Sequence, residues 1–194
     1  MTIATAAAAC ILASAFWSVG RAAAMRRALS PGHLPGVLLL AAAVASARSP
    51  ALPALAAICG ALVAGTIDAR TGAIPDPLSV STALVALGFS AVENAFLFSL
   101  GGALLTGGAL LALHALTAGR GLGLGDVKLT AAIGAGLGAS AGIAAIGVAF
   151  VLGAIVASWL LLTRRARPGG TMHFGPFLAA GACCAALLPM RFAW

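Results

Sequence analysis

Eight apolar stretches, separated by short turns bearing charged residues, glycine or proline, run along the 194 residues of this chain. They lie near 3–19, 34–47, 52–67, 78–92, 96–117, 127–139, 140–163 and 174–190. A helix needs about 20 apolar residues to cross a bilayer, so the second and sixth are short and read as half-helices or re-entrant pieces. None alternates as barrel strands do, and backbone facing lipid is satisfied only in helices or closed barrels. The pattern predicts an all-α, polytopic integral membrane protein with about six to eight transmembrane helices. Apart from 164–173 the connections are short, no soluble domain fits between them, and no repeat recurs at a fixed period. The chain reads as a single membrane domain, 1–194, with two N-terminal helices and a short basic loop in 1–50.

Composition moves the picture the same way. The chain is 62% hydrophobic and 8% charged, with a mean hydropathy of +1.11, too little polar surface to cover a soluble domain. Its 25 glycines suit membrane helices, which approach closely through small residues. Cys10, Cys59, Cys183 and Cys184 lie inside apolar stretches with no Cys-x-x-Cys pair, and read as small buried hydrophobes instead of a disulfide framework or zinc site. The first stretch has no basic residue before it, so it is expected to be a retained helix and not a signal peptide.

The formal charge of +7 changes the topology more than the list of partners. The basic residues are scattered between apolar stretches and no nucleic-acid module is visible, so no nucleic-acid binding is expected. Placing the turn 21–33, with Arg21, Arg26 and Arg27, in the cytoplasm puts Arg70, Arg120, Lys128, Arg164, Arg165 and Arg167 on the same side. Only Arg48 and Arg191 fall outside. The N-terminus is then expected outside, and Trp17, Trp159 and Trp194 near segment ends are expected as interfacial anchors. Asp68 and Asp126 both arrive at the cytoplasmic membrane boundary.

Those two residues are the candidate chemistry. Only four side chains are acidic, and ionisable groups at membrane depth are retained mainly where they act or line a pathway. Asp126 follows Gly121, Gly123 and Gly125, whose backbone is free to take positive φ and leaves room for an extended chain. The plainer alternative is a cap on a helix beginning at Val127. Asp68 ends the third stretch, before Gly72, Pro75 and Pro77 break the helix; the alternative is an interfacial aspartate paired with Arg70. Asp76, between two prolines, reads as a helix cap, and Glu93 beside Asn94 as a solvated turn residue.

Brought together, Asp68 and Asp126 would share one proton. The ionised member could deprotonate a water while the protonated one polarises a peptide carbonyl, as in an aspartyl protease dyad. Such chemistry needs no metal or cofactor. His33, His114 and His173 are too dispersed in sequence to suggest zinc, and no Gly-x-Ser-x-Gly elbow, Walker loop or His-Glu-x-x-His pair occurs. The rival reading is a small proton- or ion-coupled carrier, since broken helices with intramembrane acids are also transporter marks. Boundary acids and the lack of internal symmetry argue against it. A third, an inactive assembly scaffold, is opposed by the intact aspartates.

Three blocks together resemble a known family. Gly123-Leu-Gly-Asp126 is the Gly-x-Gly-Asp signature of membrane aspartyl proteases, and its continuation through Val127, Lys128 and Leu129 resembles the type IV prepilin peptidases. Asp68 with Ile74, Pro75 and Asp76 resembles their first aspartate motif. His173, Phe174, Gly175, Pro176, Phe177 and Leu178 resemble the block of their last helix. The resemblance runs from about Leu52 to the C-terminus and implies a peptidase-like core in 51–194 within the cytoplasmic membrane of a prokaryote. It implies removal of the basic leader from prepilins or pseudopilins at the cytoplasmic face, with Asp68 and Asp126 catalytic. The supporting motif residues are Gly123, Gly125, Lys128, Pro75, Asp76, Gly175 and Pro176. Lys128 would tune the dyad or meet an acidic group on the substrate, or else serve only as a positive-inside anchor. Two-function members carry a cysteine-bearing insertion after the first helix, tied to N-methylation. Here 21–33 has no cysteine, so cleavage without methylation is expected. Presenilin-like relatives pair Gly-x-Gly-Asp with a Tyr-Asp motif, and this chain has no tyrosine.

Overall fold

The computed structural model describes residues 2–23, 34–48, 51–165 and 172–187. Seven α-helices are found in them: α1 (Thr2–Ala23), α2 (Leu34–Arg48), α3 (Leu52–Thr71), α4 (Asp76–Val92), α5 (Phe96–Leu116), α6 (Leu124–Leu162) and α7 (Gly175–Leu187). Most of the basic turn at 21–33, with Arg26, Arg27 and His33, lies outside the described residues, as do Arg167, Arg191 and Trp194. Four helices, α1, α3, α5 and α6, are long and apolar enough to cross a membrane, while α2, α4 and α7 are shorter apolar helices.

α3 is the axis. It is apolar on every face, which predicts burial all round, and Leu55, Ile58, Val63 and Ile67 are fully buried in it. It packs against α1, α2, α4, α6 and α7. The outer surface shows the reverse pattern, with Leu97, Leu104, Leu111 and Leu116 of α5 and Val151, Ile155, Trp159 and Leu162 of α6 exposed. An apolar exterior of this extent has lipid as its solvent, and the chain is an all-α polytopic membrane protein.

α6 is not one straight rod. Gly138 has φ 77 and ψ 175, a conformation open essentially to glycine alone. In a straight helix Gly134 and Gly142 would stand about 12 Å apart. Instead, a Cβ added to Gly142 would lie 3.2 Å from the Gly134 Cα, and Val127 shares a packed cluster with Ile146. The chain therefore reverses at Gly138 into a hairpin with legs 124–137 and 139–162. The sequence division at 139/140 falls one residue from this reversal. α5 lies alongside: Thr106 Oγ1 donates to the Thr130 carbonyl at 3.0 Å, Ser99 Oγ donates to the Ala135 carbonyl, and Gly102 and Gly134 bring the two backbones together.

Two expectations are corrected by burial. Trp17 is 3% exposed and belongs to the core, so it is not an interfacial anchor; Trp159, near the end of α6, is exposed. Cys59 and Cys183 are buried, but Cys184 is exposed and Cys10 lies between. The α7 register sends adjacent residues to different faces, so Cys183 and Cys184 cannot both point inward.

Candidate active site

Asp68 sits in the last turn of α3. The helix ends because Gly72 turns left-handed (φ 68, ψ 20) and its N–H caps the Asp68 carbonyl at 2.8 Å, a usual glycine termination. Pro75 is then the N-cap of α4 and Asp76 its first residue. The Asp68 side chain is 5% exposed, and a buried carboxylate needs a donor. Gly175 supplies it: its N–H donates to Asp68 Oδ2 at 2.9 Å. Gly175 is the first residue of α7, so the carboxylate lies at the positive end of that helix. Only glycine fits there, since a Cβ would lie 2.8 Å from the Asp68 Cβ. Pro176, next in the helix, is tolerated because a first-turn N–H has no intrahelical partner. Phe174, just before, packs against Phe150 of the second α6 leg, with ring centres 5.0 Å apart and planes tilted by 42°.

Asp126 enters from the opposite wall. α6 begins at Leu124 with Gly123 as its N-cap, three residues earlier than the helix start expected at Val127. Asp126 is therefore inside the first turn, and its Oδ2 accepts the Gly123 N–H at 3.2 Å. Capping and a place in the site coexist in this one side chain. The freedom of Gly121, Gly123 and Gly125 to take positive φ is not used: among the described residues the positive-φ glycines are Gly72, Gly119 and Gly138. Gly125 serves close approach instead, since a Cβ on it would lie 3.1 Å from the Ile74 Cβ. The α3–α4 turn thus rests directly on the start of α6. His114 steadies the preceding turn by donating from Nδ1 to the Leu122 carbonyl at 2.7 Å.

Asp68 and Asp126 line one cleft of about 240 Å³, together with Gly72, Ile74, Asp76 and Gly125. Three of the chain's four acidic residues meet there, each at a helix end. The fourth, Glu93, is the C-cap of α4 and exposed, as a turn residue should be. Lys128 points to Asp76, with Nζ 2.7 Å from Oδ2, so its partner is neither Asp68 nor Asp126. Among the described residues no group of three His, Cys, Asp or Glu is placed to hold a metal ion.

Two juxtapositions had no local signal in the sequence: Gly175 on Asp68, across 107 residues, and His173 Nε2, which a Cβ on Gly72 would meet at 3.1 Å. Both join the start of α7 to the end of α3. The signal in the sequence was the resemblance of 173–178 to the family's last-helix block, which marked Gly175 without saying what it touches.

Residues 55–158, over half of the chain, match the type IV leader peptidase family; the match contains Asp68 and Asp126 but not Gly175 or Pro176. The prepilin leader peptidase/N-methyltransferases of Burkholderia pseudomallei strains 1026b and K96243 are each 36% identical to this chain over 154 residues. The aligned region covers 73% of this chain and 49% of each relative, so the chain spans about half the length of the curated relatives it matches. No solved structure matches it. With both aspartates of the cleft inside the matched region, this chain belongs to the type IV leader peptidase family.

Proposed function

We propose that this protein is a membrane aspartyl endopeptidase that removes the basic leader of type IV prepilins or pseudopilins, with Asp68 and Asp126 as its catalytic pair. The observation that carries the reading is the shared cleft, where two carboxylates from separate helices converge. Each has Oδ2 held by a backbone N–H, from Gly175 for Asp68 and from Gly123 for Asp126, which fixes their orientation without a flexible side-chain partner.

One carboxyl of the pair carries the shared proton and donates it to the scissile carbonyl oxygen, while the other takes a proton from water. The water oxygen bonds to the carbonyl carbon, the C–N bond breaks as the resulting diol collapses, and a proton passes to the leaving amine. No metal or cofactor enters this scheme. Arg70, Arg120 and Lys128 lie near the helix ends that carry Asp68 and Asp126, and the positive-inside bias supports a cytoplasmic position for those ends. A substrate whose leader is basic and cytoplasmic, followed by an apolar segment in the bilayer, meets the cleft at that boundary. The cysteine-free 21–33 turn supports cleavage without N-methylation.

Co-expression with a prepilin tests the reading. Wild type is expected to remove the leader, and Asp68→Asn and Asp126→Asn to lose that activity at unchanged membrane levels, read by gel shift and mass. Cleavage surviving either substitution removes that residue from the pair. A methylated N-terminus on the product overturns the single-activity reading.

A further inference from the structure

We propose that the Asp76–Lys128 ion pair is a positioning strut that sets the separation of the two catalytic aspartates; the inference rests on the proposed peptidase reading. The two walls of the cleft belong to different parts of the chain. Asp68 is carried by the end of α3, which runs through the turn at Ala73, Ile74 and Pro75 into α4, and Asp126 by the first turn of α6. α3 and α4 both pack on α6, and two of the contacts between these walls lie at the rim. One is apolar, Ile74 on Gly125; the other is the pair between Asp76, first residue of α4, and Lys128, two residues beyond Asp126, at 2.7 Å.

The apolar contact sets how near the walls come at the rim but has no directional preference of its own there. The ion pair supplies direction, since its hydrogen-bonded geometry holds only in one register. Its side chains are 44% and 62% exposed, so the pair adds little to stability. A strut therefore predicts an effect on turnover out of proportion to any effect on folding. It also explains a lysine beside the catalytic cleft that bonds neither catalytic carboxylate: Asp76 occupies it.

The test uses the full chain in proteoliposomes with one prepilin, measuring kcat and KM for leader removal, the pH profile of kcat, and thermal unfolding. Asp76→Asn and Lys128→Gln are each expected to lower kcat about two- to fivefold, the most that a contact of an exposed pair's strength can shift the alignment of the two walls. KM and melting temperature should hold nearly constant, while the acid limb of the kcat profile moves as the carboxylates separate. Lys128→Arg should keep most of the activity. The double variant Asp76→Asn with Lys128→Gln should be no worse than either single one, as for two halves of one contact.

Wild-type kcat in both single variants, with Asp68→Asn inactive, overturns the strut and leaves the peptidase reading standing. A rise in KM confined to Asp76→Asn also overturns it, by making Asp76 a contact for the basic leader. Wild type that cleaves no prepilin overturns the peptidase reading, and the strut with it.

Discussion

Gly175→Ala is the sharpest probe of how α7 holds Asp68. The added Cβ would lie 2.8 Å from the Asp68 Cβ, 2.9 Å from Oδ2 and 3.1 Å from Cγ. Carbon atoms in contact settle at about 3.5–4.0 Å, so about 1 Å of relief is required. Either Asp68 swings toward the cleft or α7 retreats and stretches the 2.9 Å bond from Gly175 N–H. The first route displaces the carboxylate and the second weakens the backbone bond that orients it; a misplacement of about 1 Å costs about hundredfold in turnover. Overpacking should also lower stability by about 1–3 kcal/mol. Gly147→Ala is the control: a Cβ there meets nothing within 4 Å, and alanine in a helix interior should add about 0.5–1 kcal/mol. Initial rates of leader removal in proteoliposomes, with thermal unfolding of the same samples, separate the two effects. A Gly175→Ala enzyme that melts lower yet turns over within about twofold of wild type would falsify the claim that this contact positions Asp68.

Three further substitutions test the scaffold, each read by thermal unfolding. Gly138→Ala forces a side chain into φ 77 and should cost about 1–3 kcal/mol; an unchanged midpoint would argue against the hairpin reversal. Ser79 Oγ is buried without a hydrogen-bond partner among the described residues, so Ser79→Ala should be neutral or stabilise by about 1 kcal/mol, and a clear loss would reveal a partner. Gly60→Ala drives its Cβ into the Thr82 side chain and should cost about 1–3 kcal/mol; adding Thr82→Ala should recover part of it, and strictly additive losses would refute the contact.

Much of the fold was legible because a bilayer restricts what a chain can do. Once the composition excluded water as the main solvent, helices followed, and charge and proline marked their ends. The α3 break at Gly72, Pro75 and Pro77 was readable in this way, since each of those residues acts on its own backbone. Gly138 was only half readable. Its neighbourhood suggested a division of the long apolar run, but nothing local distinguishes a division from a reversal, which depends on Gly134, Gly142 and Thr106 packing together. At the site, Asp68 and Asp126 stood out because charge is rare in this chain. Their surroundings did not, because the hydrogen bond from Gly175 and the Lys128–Asp76 pair join residues far apart in sequence. The glycines before Asp126 illustrate the difference. Local reasoning assigned them conformational freedom, whereas Gly125 is needed for what lies across from it.

The hairpin in α6 has a consequence for how this protein is made. Its first leg, 124–137, is about 20 Å long by the α-helical rise, against a hydrocarbon core of about 30 Å. That leg carries Asp126 and Lys128 at its start and is almost wholly buried from Val127 to Leu137. A segment so short and so charged at one end is a poor candidate to enter the bilayer alone, whereas the second leg, 139–162, is long and apolar. Insertion of 124–162 as one folded-back unit solves both problems, with the second leg drawing the first in behind it. The first leg therefore relies for its burial on chain that follows Gly138, since Gly142 and Ile146 of the second leg pack on it.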